Sequence, residues 1–472
     1  MTSASLAGVR QLPGWLKHCL LAGLLIAGCW IAAICYWRAT DNTPAPGELM
    51  LSLLALPAAL LLAFGIGPKV VAKRAAAPVA SAQAQAGQAS QGLPSAPPLA
   101  ILTSALRSPH GASAEELSAA IADNKARADL DPDLVDDDGF PVMTARCSDA
   151  TDEVLQEEIT EWLAANGMAG LSFTDEQWRA LTMASGVAGE LASHAASRLI
   201  PRDAPAPMLQ LIPLLPSEWG AEQRRAAGRW IEHTVTQFGW PPASVALAAP
   251  EAQTAAAERS PSSLPGTLAQ CAAPAGTPLV AMVVACASYI GEQSVAEWAA
   301  NASLFTSARP QGLIPGEGAA GLLLTDPQFA ESTADAPFAL LAPFHEARRD
   351  AAANEARHRG SALLAELAQT ALKRDAAEPT AMAIVADTGH RANRVLELMG
   401  MASSVLPELD ADADIVRVGA ASGACDAVPF VTALALAHHH ALERHAPVLF
   451  ISNEDPYNRC AAVVRPAHQH LT

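Results

Sequence analysis

Three glycines in the segment ARPQGLIPGEGAAGLLLTDPQ have the G-x-G-x-x-G spacing with which some folds bind a dinucleotide. They are Gly316, Gly318 and Gly321. In a dinucleotide site such glycines follow a strand and open a helix, whose N-terminus holds the pyrophosphate. Here they open the apolar stretch AAGLLLTD, which is typical of a buried strand. Because this order is inverted, we reject a nucleotide site and expect no cofactor. Gly316, Glu317 and Gly318 are instead predicted to form a structural turn that leads into the strand.

The thiols are too far apart in the sequence to form a metal or redox motif. None of the eight cysteines forms a C-x-x-C pair, which argues against a zinc knuckle and a thioredoxin-type site. A disulfide framework is not expected in a chain of 472 residues, so the pattern favours a reducing compartment. The cysteines are Cys19, Cys29, Cys35, Cys147, Cys271, Cys286, Cys425 and Cys460.

Two further clusters of metal-binding residue types do not have the geometry of a metal site. His438, His439 and His440 are adjacent, and neighbouring side chains on a helix point ~100° apart, so they do not converge on one ion. We predict that they and His445 belong to a solvated helix end and complement the helix dipole. The acidic stretch 129–139 lacks the glycine and glutamate positions of an EF-hand loop, which predicts a solvated acidic loop and no metal.

The composition is that of a globular chain with an acidic surface. Hydrophobic residues make up 51% and charged residues 17% of the chain, which excludes a disordered protein. The formal net charge is −18, and no run of lysine or arginine interrupts it. Because an acidic surface repels phosphates, nucleic acid is not an expected partner.

Two apolar segments near the N-terminus have the length of membrane-spanning helices. Residues 18–37 and 49–67 each contain about 20 residues, enough to cross ~30 Å of hydrocarbon. A signal peptide would account for the first segment but not for a second one so soon after it. We therefore predict a membrane anchor over 1–74 with two transmembrane helices. A flexible linker rich in Ala, Gln and Pro follows over 75–97.

Positive charges flank the two predicted transmembrane helices. Arg10 and Lys17 precede them, and Lys69, Lys73 and Arg74 follow, whereas the connecting loop holds one arginine and two acidic residues. The positive-inside rule therefore predicts that both termini and the soluble domain lie on the cytoplasmic side of the inner (plasma) membrane.

The rest of the chain alternates between strand-like and helix-like segments. Ser113 and Glu116 form a capping-box pattern, which predicts a helix after the first strand. The alternation predicts an α/β fold in which antiparallel terminal strands close a mostly parallel sheet. The main strand candidates are 98–108, 207–217, 277–288, 380–387 and 414–420. The main helix candidates are 151–200, 221–239, 354–374 and 427–445.

Four segments, in order, resemble the β-ketoacyl synthase branch of the thiolase superfamily. They are LAILTSALRSPHGASAEELSAAI, FTSARPQGLIPGEGAAGLLLTD, VRVGAASGACDAVPFVTALALA and VLFISNEDPYNRCAAVVRP, and they cover roughly 98–467. The second is the closest match, although Gln311 and Leu313 depart from the family's R-x-G-F-x-x-G-E-G-A pattern. The resemblance implies a thiolase-like five-layer αβαβα domain of two similar halves, expected at 98–335 and 336–472.

The resemblance also implies where an active member would carry its chemistry. Such a member needs a cysteine at a helix N-terminus and two histidines, or a histidine and an asparagine. Cys271 is a weak candidate nucleophile, because it lies too close to the next strand for a full helix between them. The first histidine turn corresponds to ADTGHRANR, where Asp387 stands and His390 is displaced; the second corresponds to VGAASGACD, which contains Cys425 and no histidine. We therefore assign no catalytic residue and expect standard Claisen condensation to be lost.

Three functional hypotheses follow from these observations. The first is a catalytically inactive, membrane-anchored scaffold or interaction component with an unidentified protein partner. The second is an acyltransferase or ketosynthase-type enzyme that uses an acyl thioester through Cys271 or another residue. The third is a protein that binds an acyl group or an acyl carrier without turnover. A homodimer is a candidate assembly in each case, since the resemblance implies one.

Overall fold

The structure is a computed structural model, and we describe residues 97–136, 138–201, 204–248, 278–333, 336–353, 360–375 and 381–467. They belong to one structural unit, Ser95–Thr472. No helix among them is long and apolar enough to cross a membrane. The predicted spans 18–37 and 49–67 lie outside the described residues, as does the predicted linker up to residue 96.

The strands include the apolar segments that the sequence singled out. Their bounds are β1 (Leu99–Arg107), β2 (Asp129–Val135), β3 (Pro141–Thr144), β4 (Leu209–Leu214), β5 (Val245–Leu247), β6 (Val280–Ser288), β7 (Glu317–Thr325), β8 (Ala339–Leu341), β9 (His345–Arg348), β10 (Ala383–Ala386), β11 (Ile415–Arg417), β12 (Val448–Ser452) and β13 (Asn458–Pro466).

The helices connect these strands. Their bounds are α1 (Ala114–Ala122), α2 (Glu153–Ala165), α3 (Asp175–Leu199), α4 (Ala221–Gln237), α5 (Glu292–Ala300), α6 (Pro327–Thr333), α7 (Ala362–Asp375), α8 (Ala392–Val405), α9 (Val418–Ser422) and α10 (Val428–Arg444). The predicted capping box is present in part: Ser113 is the N-cap of α1, and its side chain accepts a hydrogen bond from the Glu116 amide.

The strands repeat one order in the two parts of the chain. The first part runs β5-β4-β6-β7-β1 and the second runs β11-β10-β12-β13-β8. If the five strands of each part are numbered 1 to 5 in chain order, both parts have the spatial order 3-2-4-5-1. In both parts the fifth strand is antiparallel to the fourth. The two parts join where β1 pairs antiparallel with β8. The α/β fold is therefore confirmed as a mixed one. The predicted mostly parallel sheet is wrong, because four of its strand pairings in the described residues are parallel and six, including those where the two parts join, are antiparallel.

Strand β6 shows why this sheet buries apolar side chains on both faces. Val280, Met282 and Val284 enter a core shared with α3 and α4, whereas Ala281 and Val283 enter a second core shared with α10. Helix α10 packs on strands of both parts of the chain, and α7 and α8 form a third core beside β12 and β13. A strand covered on both faces must be apolar throughout, which accounts for the run VAMVVACAS.

The predicted solvated helix end at 438–440 is wrong for two of its histidines. His438 is 7% and His440 is 5% exposed, because this end of α10 lies against β1 and α1. The Ser104 hydroxyl lies 3.5 Å from Nδ1 of His438, and the Ser118 hydroxyl lies 3.3 Å from Nε2 of His440. Burial lowers the pKa of both imidazoles to about 4, so they are neutral at pH 7.

The predicted acidic loop at 129–139 is also wrong in part. Residues Asp129–Val135 form β2, which pairs with β3 in a separate two-stranded sheet. Asp131 is 4% exposed and accepts a bidentate ion pair from Arg146 together with a hydrogen bond from Thr144. Burial works to raise the pKa of Asp131, but these donors outweigh it and lower the pKa to about 2. Asp131 can thus be buried because Arg146, 15 residues further along the chain, neutralises its charge.

Replacing His438 by Leu is expected to make stability less dependent on pH. The pKa of His438 falls from 6.5 to about 4 on folding, so the unfolded chain binds this proton first as the pH falls. The folded state therefore loses ~3 kcal/mol of stability relative to the unfolded chain as the pH falls from 6.5 to about 4. Urea unfolding midpoints at pH 7 and pH 4 test this. The matched control Leu436→Ala removes packing from the same helix without a titrating group and should lower both midpoints alike.

Candidate functional site

A cleft of about 210 Å³ lies at the carboxyl ends of two parallel strands. Strand β10 ends at Ala386 and β12 ends at Ser452, and the two strands are parallel neighbours. The residues that follow them therefore meet at one edge of the sheet. The turn 423–426 before α10 forms another wall. The cleft is lined by Leu313, Asp387, Arg391, Gly423, Ala424, Cys425, Asp426, Pro429, Phe430, Ser452, Glu454, Asp455, Asn458 and Cys460.

Asp387 is a carboxyl group held in place at the end of β10. Its Oδ2 accepts a hydrogen bond of 2.5 Å from the Ser452 hydroxyl, and its Oδ1 accepts the backbone amides of Asn453 and Glu454 at 2.9 and 3.2 Å. Burial raises the pKa of Asp387 to about 6 against the effect of these donors. Three hydrogen bonds fix the carboxyl group, so it is a rigid part of the cleft wall.

An ion pair forms the adjoining wall. Nε and Nη2 of Arg391 donate to Oε1 of Glu454 at 3.0 and 2.6 Å, while Oε2 of Glu454 accepts the amide of Gly389 at 2.9 Å. The pair ties the start of α8 to the loop after β12. One cation therefore faces several carboxyl groups within the cleft.

Cys425 and Asp426 stand in the turn that leads into α10. The Cys425 thiol is buried and donates to the Ala287 carbonyl at 3.5 Å, and burial raises its pKa well above the usual range. Asp426 has a left-handed backbone with φ of 48°, and its side chain is open to the cleft. Desolvation of the carboxylate and, to a smaller extent, the charge of Glu218 raise the pKa of Asp426 to about 7. This position combines a protonated thiol with a carboxyl group that titrates near neutrality.

The predicted turn at Gly316, Glu317 and Gly318 is extended backbone instead. Glu317 and Gly318 are the first residues of β7. A Cβ atom on Gly316 would lie 2.0 Å from the Ser422 carbonyl oxygen, and one on Gly318 would lie 2.8 Å from the Arg107 carbonyl oxygen. The glycines are therefore needed for the close approach of neighbouring backbones and not for a left-handed turn.

Glu317 is fully buried at the centre of a polar network. Its carboxylate accepts the Cys147 amide at 2.7 Å, the Ser288 hydroxyl at 2.9 Å, and Nε and Nη2 of Arg179 at 2.8 and 2.5 Å. Arg179 also donates to the Cys147 carbonyl at 3.1 Å. The network joins α3, β6 and β7. It therefore fixes the start of β7 and the adjacent Gly316, which contacts the turn that lines the cleft.

The other residues considered from the sequence lie elsewhere. His390 does not line the cleft; its ring packs edge-on against Phe305 at 5.3 Å, and burial lowers its pKa. Cys271 lies outside the described residues. Arg391, Asp426 and Glu454 were missed, although Glu454 follows an apolar strand, and that signal could have placed it at this edge.

The cleft offers proton transfer and hydrogen bonding more readily than nucleophilic attack. Among its lining residues there is no imidazole, and its two thiols, Cys425 and Cys460, have pKa values raised by burial. Within the described part of the chain, no group of three or more His, Cys, Asp or Glu side chains is placed to hold a metal ion. Asp387 and Asp426 titrate within about a unit of neutrality, so both can exchange protons.

Comparison with solved structures gives ketosynthase folds. A chain from the complex of a type II polyketide synthase acyl-carrier protein with its ketosynthase bound to the hexaketide has a TM-score of 0.54 at 13% identity, covering 78% of this chain and 99% of that chain. The ketosynthase from module 6 of the bacillaene synthase of Bacillus subtilis has a TM-score of 0.53 at 12% identity, covering 79% and 72%. An oxazolomycin ketosynthase domain from Streptomyces albus has a TM-score of 0.53 at 12% identity, covering 79% and 74%.

These similarities show the fold and confirm the predicted likeness to ketosynthases in that respect. No family model matches the sequence. No curated protein matches it either.

The substitution Gly316→Ala is expected to lower stability strongly. Its new methyl group would overlap the Ser422 carbonyl oxygen, a backbone atom that cannot turn away, so we expect a loss of ~3 kcal/mol. A shifted urea midpoint measures this. Gly360→Ala is the control, because a Cβ atom there meets nothing within 4 Å. Equal midpoints for the two variants would show that the close approach does not constrain the fold.

Replacing Arg179 by Met is expected to cost ~3–5 kcal/mol, because the fully buried Glu317 carboxylate would lose its counter-ion. Arg229→Met removes an exposed i,i+3 ion pair with Glu232 and should change stability by less than ~1 kcal/mol. Chemical unfolding of both variants tests the difference. A loss at Arg179 no larger than the loss at Arg229 would contradict a structural role of the network.

Proposed function

We propose that this chain is a ketosynthase-like protein that does not catalyse Claisen condensation and acts as an interaction component at the cytoplasmic face of the inner membrane. One observation carries the loss of condensation. Carboxyl groups, Asp387 and Asp426, stand in the two turns where the resemblance to active ketosynthases would place imidazole or amide donors.

Electrostatics supports the loss of condensation. The reaction develops negative charge on an enolate and a tetrahedral oxyanion, and enzymes stabilise that charge with preorganised N–H or O–H donors. Ionised Asp387 would repel such a charge instead, and its hydrogen-bonding capacity is taken up by Ser452 and two backbone amides. The ground state is thereby favoured over the transition state.

The thiol at the cleft also argues for a non-catalytic site. A thiolate is the reactive form of cysteine, and a helix N-terminus favours it. Cys425 lies just before α10, yet burial and the neighbouring carboxylates of Glu317 and Asp426 keep its thiol protonated. The burial of Cys425 and the nearby carboxylates therefore outweigh the stabilisation of a thiolate that the helix N-terminus would provide.

The proposed arrangement around this site has two further parts. The packing of α10 against both sets of strands, with α3 and α4 outside one set and α7 and α8 outside the other, supports a five-layer αβαβα domain. We place its halves at 98–335 and 336–472. The apolar segments 18–37 and 49–67 would anchor this domain, with 75–97 as a tether.

A second candidate function is the binding of an acyl group or an acyl carrier without turnover. The apolar lining of the cleft, Leu313, Pro429 and Phe430, favours it, because these side chains would accept an alkyl chain. One solved relative is a ketosynthase in complex with an acyl-carrier protein. Both candidate functions lack catalysis. They differ in the binding partner, which is an unidentified protein in the first and an acyl group or acyl carrier in the second.

Intact mass spectrometry of the full-length chain tests the proposed function. After incubation with a panel of acyl thioesters, we expect no stoichiometric acyl adduct, whereas an active ketosynthase treated in parallel should acquire one. An adduct that is lost in Cys271→Ala or Cys425→Ala would contradict the proposal and favour an acyltransferase. Saturable binding of an acyl-carrier protein with unchanged mass would favour the second candidate.

A further inference from the structure

The β2–β3 hairpin exposes large apolar side chains, two on β2 and one, Phe140, in the loop that leads into β3. Leu130 is 59%, Val135 is 54% and Phe140 is 67% exposed. In the sheet register, Leu130 is opposite Met143 and Val135 is opposite Pro141. We call this set, Leu130, Val135, Phe140, Pro141 and Met143, the hairpin face.

The opposite face of the same sheet is already used for packing. Leu134 and Val142 are buried in a small core with Val295 of α5 and with Leu304. A two-stranded sheet on a protein surface normally places polar residues outward when its inner face is packed. The hairpin instead exposes apolar side chains next to aspartates on β2, and nothing in the described part of the chain buries these apolar side chains.

Aspartates are interspersed with the apolar residues along the hairpin, and we call the exposed ones the aspartate rim. Residues 129–144 contain six aspartates and no lysine or arginine. Asp131 is neutralised within the protein by Arg146, and Asp133, whose side chain is 76% exposed, lies 4.0 Å from the same arginine. Asp129 and Asp138 are exposed and Asp136 is half-buried. The surface around the apolar residues therefore has an excess of negative charge.

The hairpin is also held firmly in place. The ion pair of Asp131 with Arg146 and the hydrogen bond from Thr144 lie beneath the sheet, and the Ala145 amide donates to the Pro315 carbonyl at 2.9 Å. A surface that is ordered before binding loses little conformational entropy when a partner arrives.

We propose that the hairpin face docks a basic amphipathic segment of another protein. Apolar side chains of that segment would cover Leu130, Val135 and Phe140, and its lysines or arginines would meet the aspartate rim. A second copy of this chain is disfavoured because two such rims would repel each other, and an anionic membrane is disfavoured for the same reason. The inference goes beyond the proposed function and does not depend on whether the cleft is active.

Fluorescence anisotropy with a defined probe tests this proposal. The probe is a synthetic 18-residue amphipathic helix with leucines on one face and lysines on the other, and its acidic counterpart carries glutamate in place of lysine. The full-length chain is used in nanodiscs of phosphatidylcholine, with empty nanodiscs as the blank. We expect saturable binding of the basic probe alone, weakened by added salt.

Matched variants locate the binding. Leu130→Ser combined with Phe140→Ser should weaken probe binding by at least about tenfold, as expected for central apolar anchors. Val154→Ser is the apolar control, since Val154 is 77% exposed on α2. Asp133→Asn with Asp138→Asn should reduce the salt dependence, whereas Glu157→Gln with Glu161→Gln, exposed acids on α2, should not.

Three outcomes overturn the proposal. They are equal affinity for both probes, unchanged affinity in the Leu130→Ser/Phe140→Ser variant, and a change in oligomeric state caused by that variant, which would make the face a self-association surface. Hydrogen exchange gives an independent readout, because the bound probe should protect amides within 129–144. The intact-mass test of the cleft does not involve these residues, so failure of one test leaves the other informative.

Discussion

The close approach of Gly316 to the Ser422 carbonyl is the constraint on which the cleft depends. It brings the segment before β7 against the turn before α10, and the Ala424 amide donates to the Ile314 carbonyl beside it. Glu317, buried and paired with Arg179, fixes one side of this contact, and α10, packed between two sets of strands, fixes the other. The cleft geometry therefore follows from interactions across the whole described unit.

Burial also decides the protonation of the groups near α10. His438 and His440 are kept neutral where the helix packs against β1 and α1, and Cys425 is kept as a thiol at the other end. Asp426 lies in the turn before the helix, where desolvation and the charge of Glu218 raise its pKa to about 7. Residues Val428–His438 of α10 are all buried, a setting that admits few charges, so the charged groups lie in its last turn and in the turn before its first residue.

The fold could be predicted well from local patterns, but the site could not. Continuous apolar runs identified β6 and β7, since their side chains pack on both faces of a sheet. The acidic stretch at 129–139 was mistaken for a loop because its aspartates hid two buried positions, one of them Asp131 with its long-range partner Arg146. Similarly, Asp426 joins the cleft through a turn whose position depends on contacts far away in the chain.

The proposed loss of acyl condensation at the cleft of this ketosynthase-like fold can be measured directly. The most direct measurement is carbon–carbon bond formation from radiolabelled malonyl and acyl thioesters by the full-length chain, with an active ketosynthase assayed in parallel. We predict no labelled β-ketoacyl product above the enzyme-free blank. Product formed at a rate comparable to that of the active ketosynthase would contradict the proposed loss of condensation.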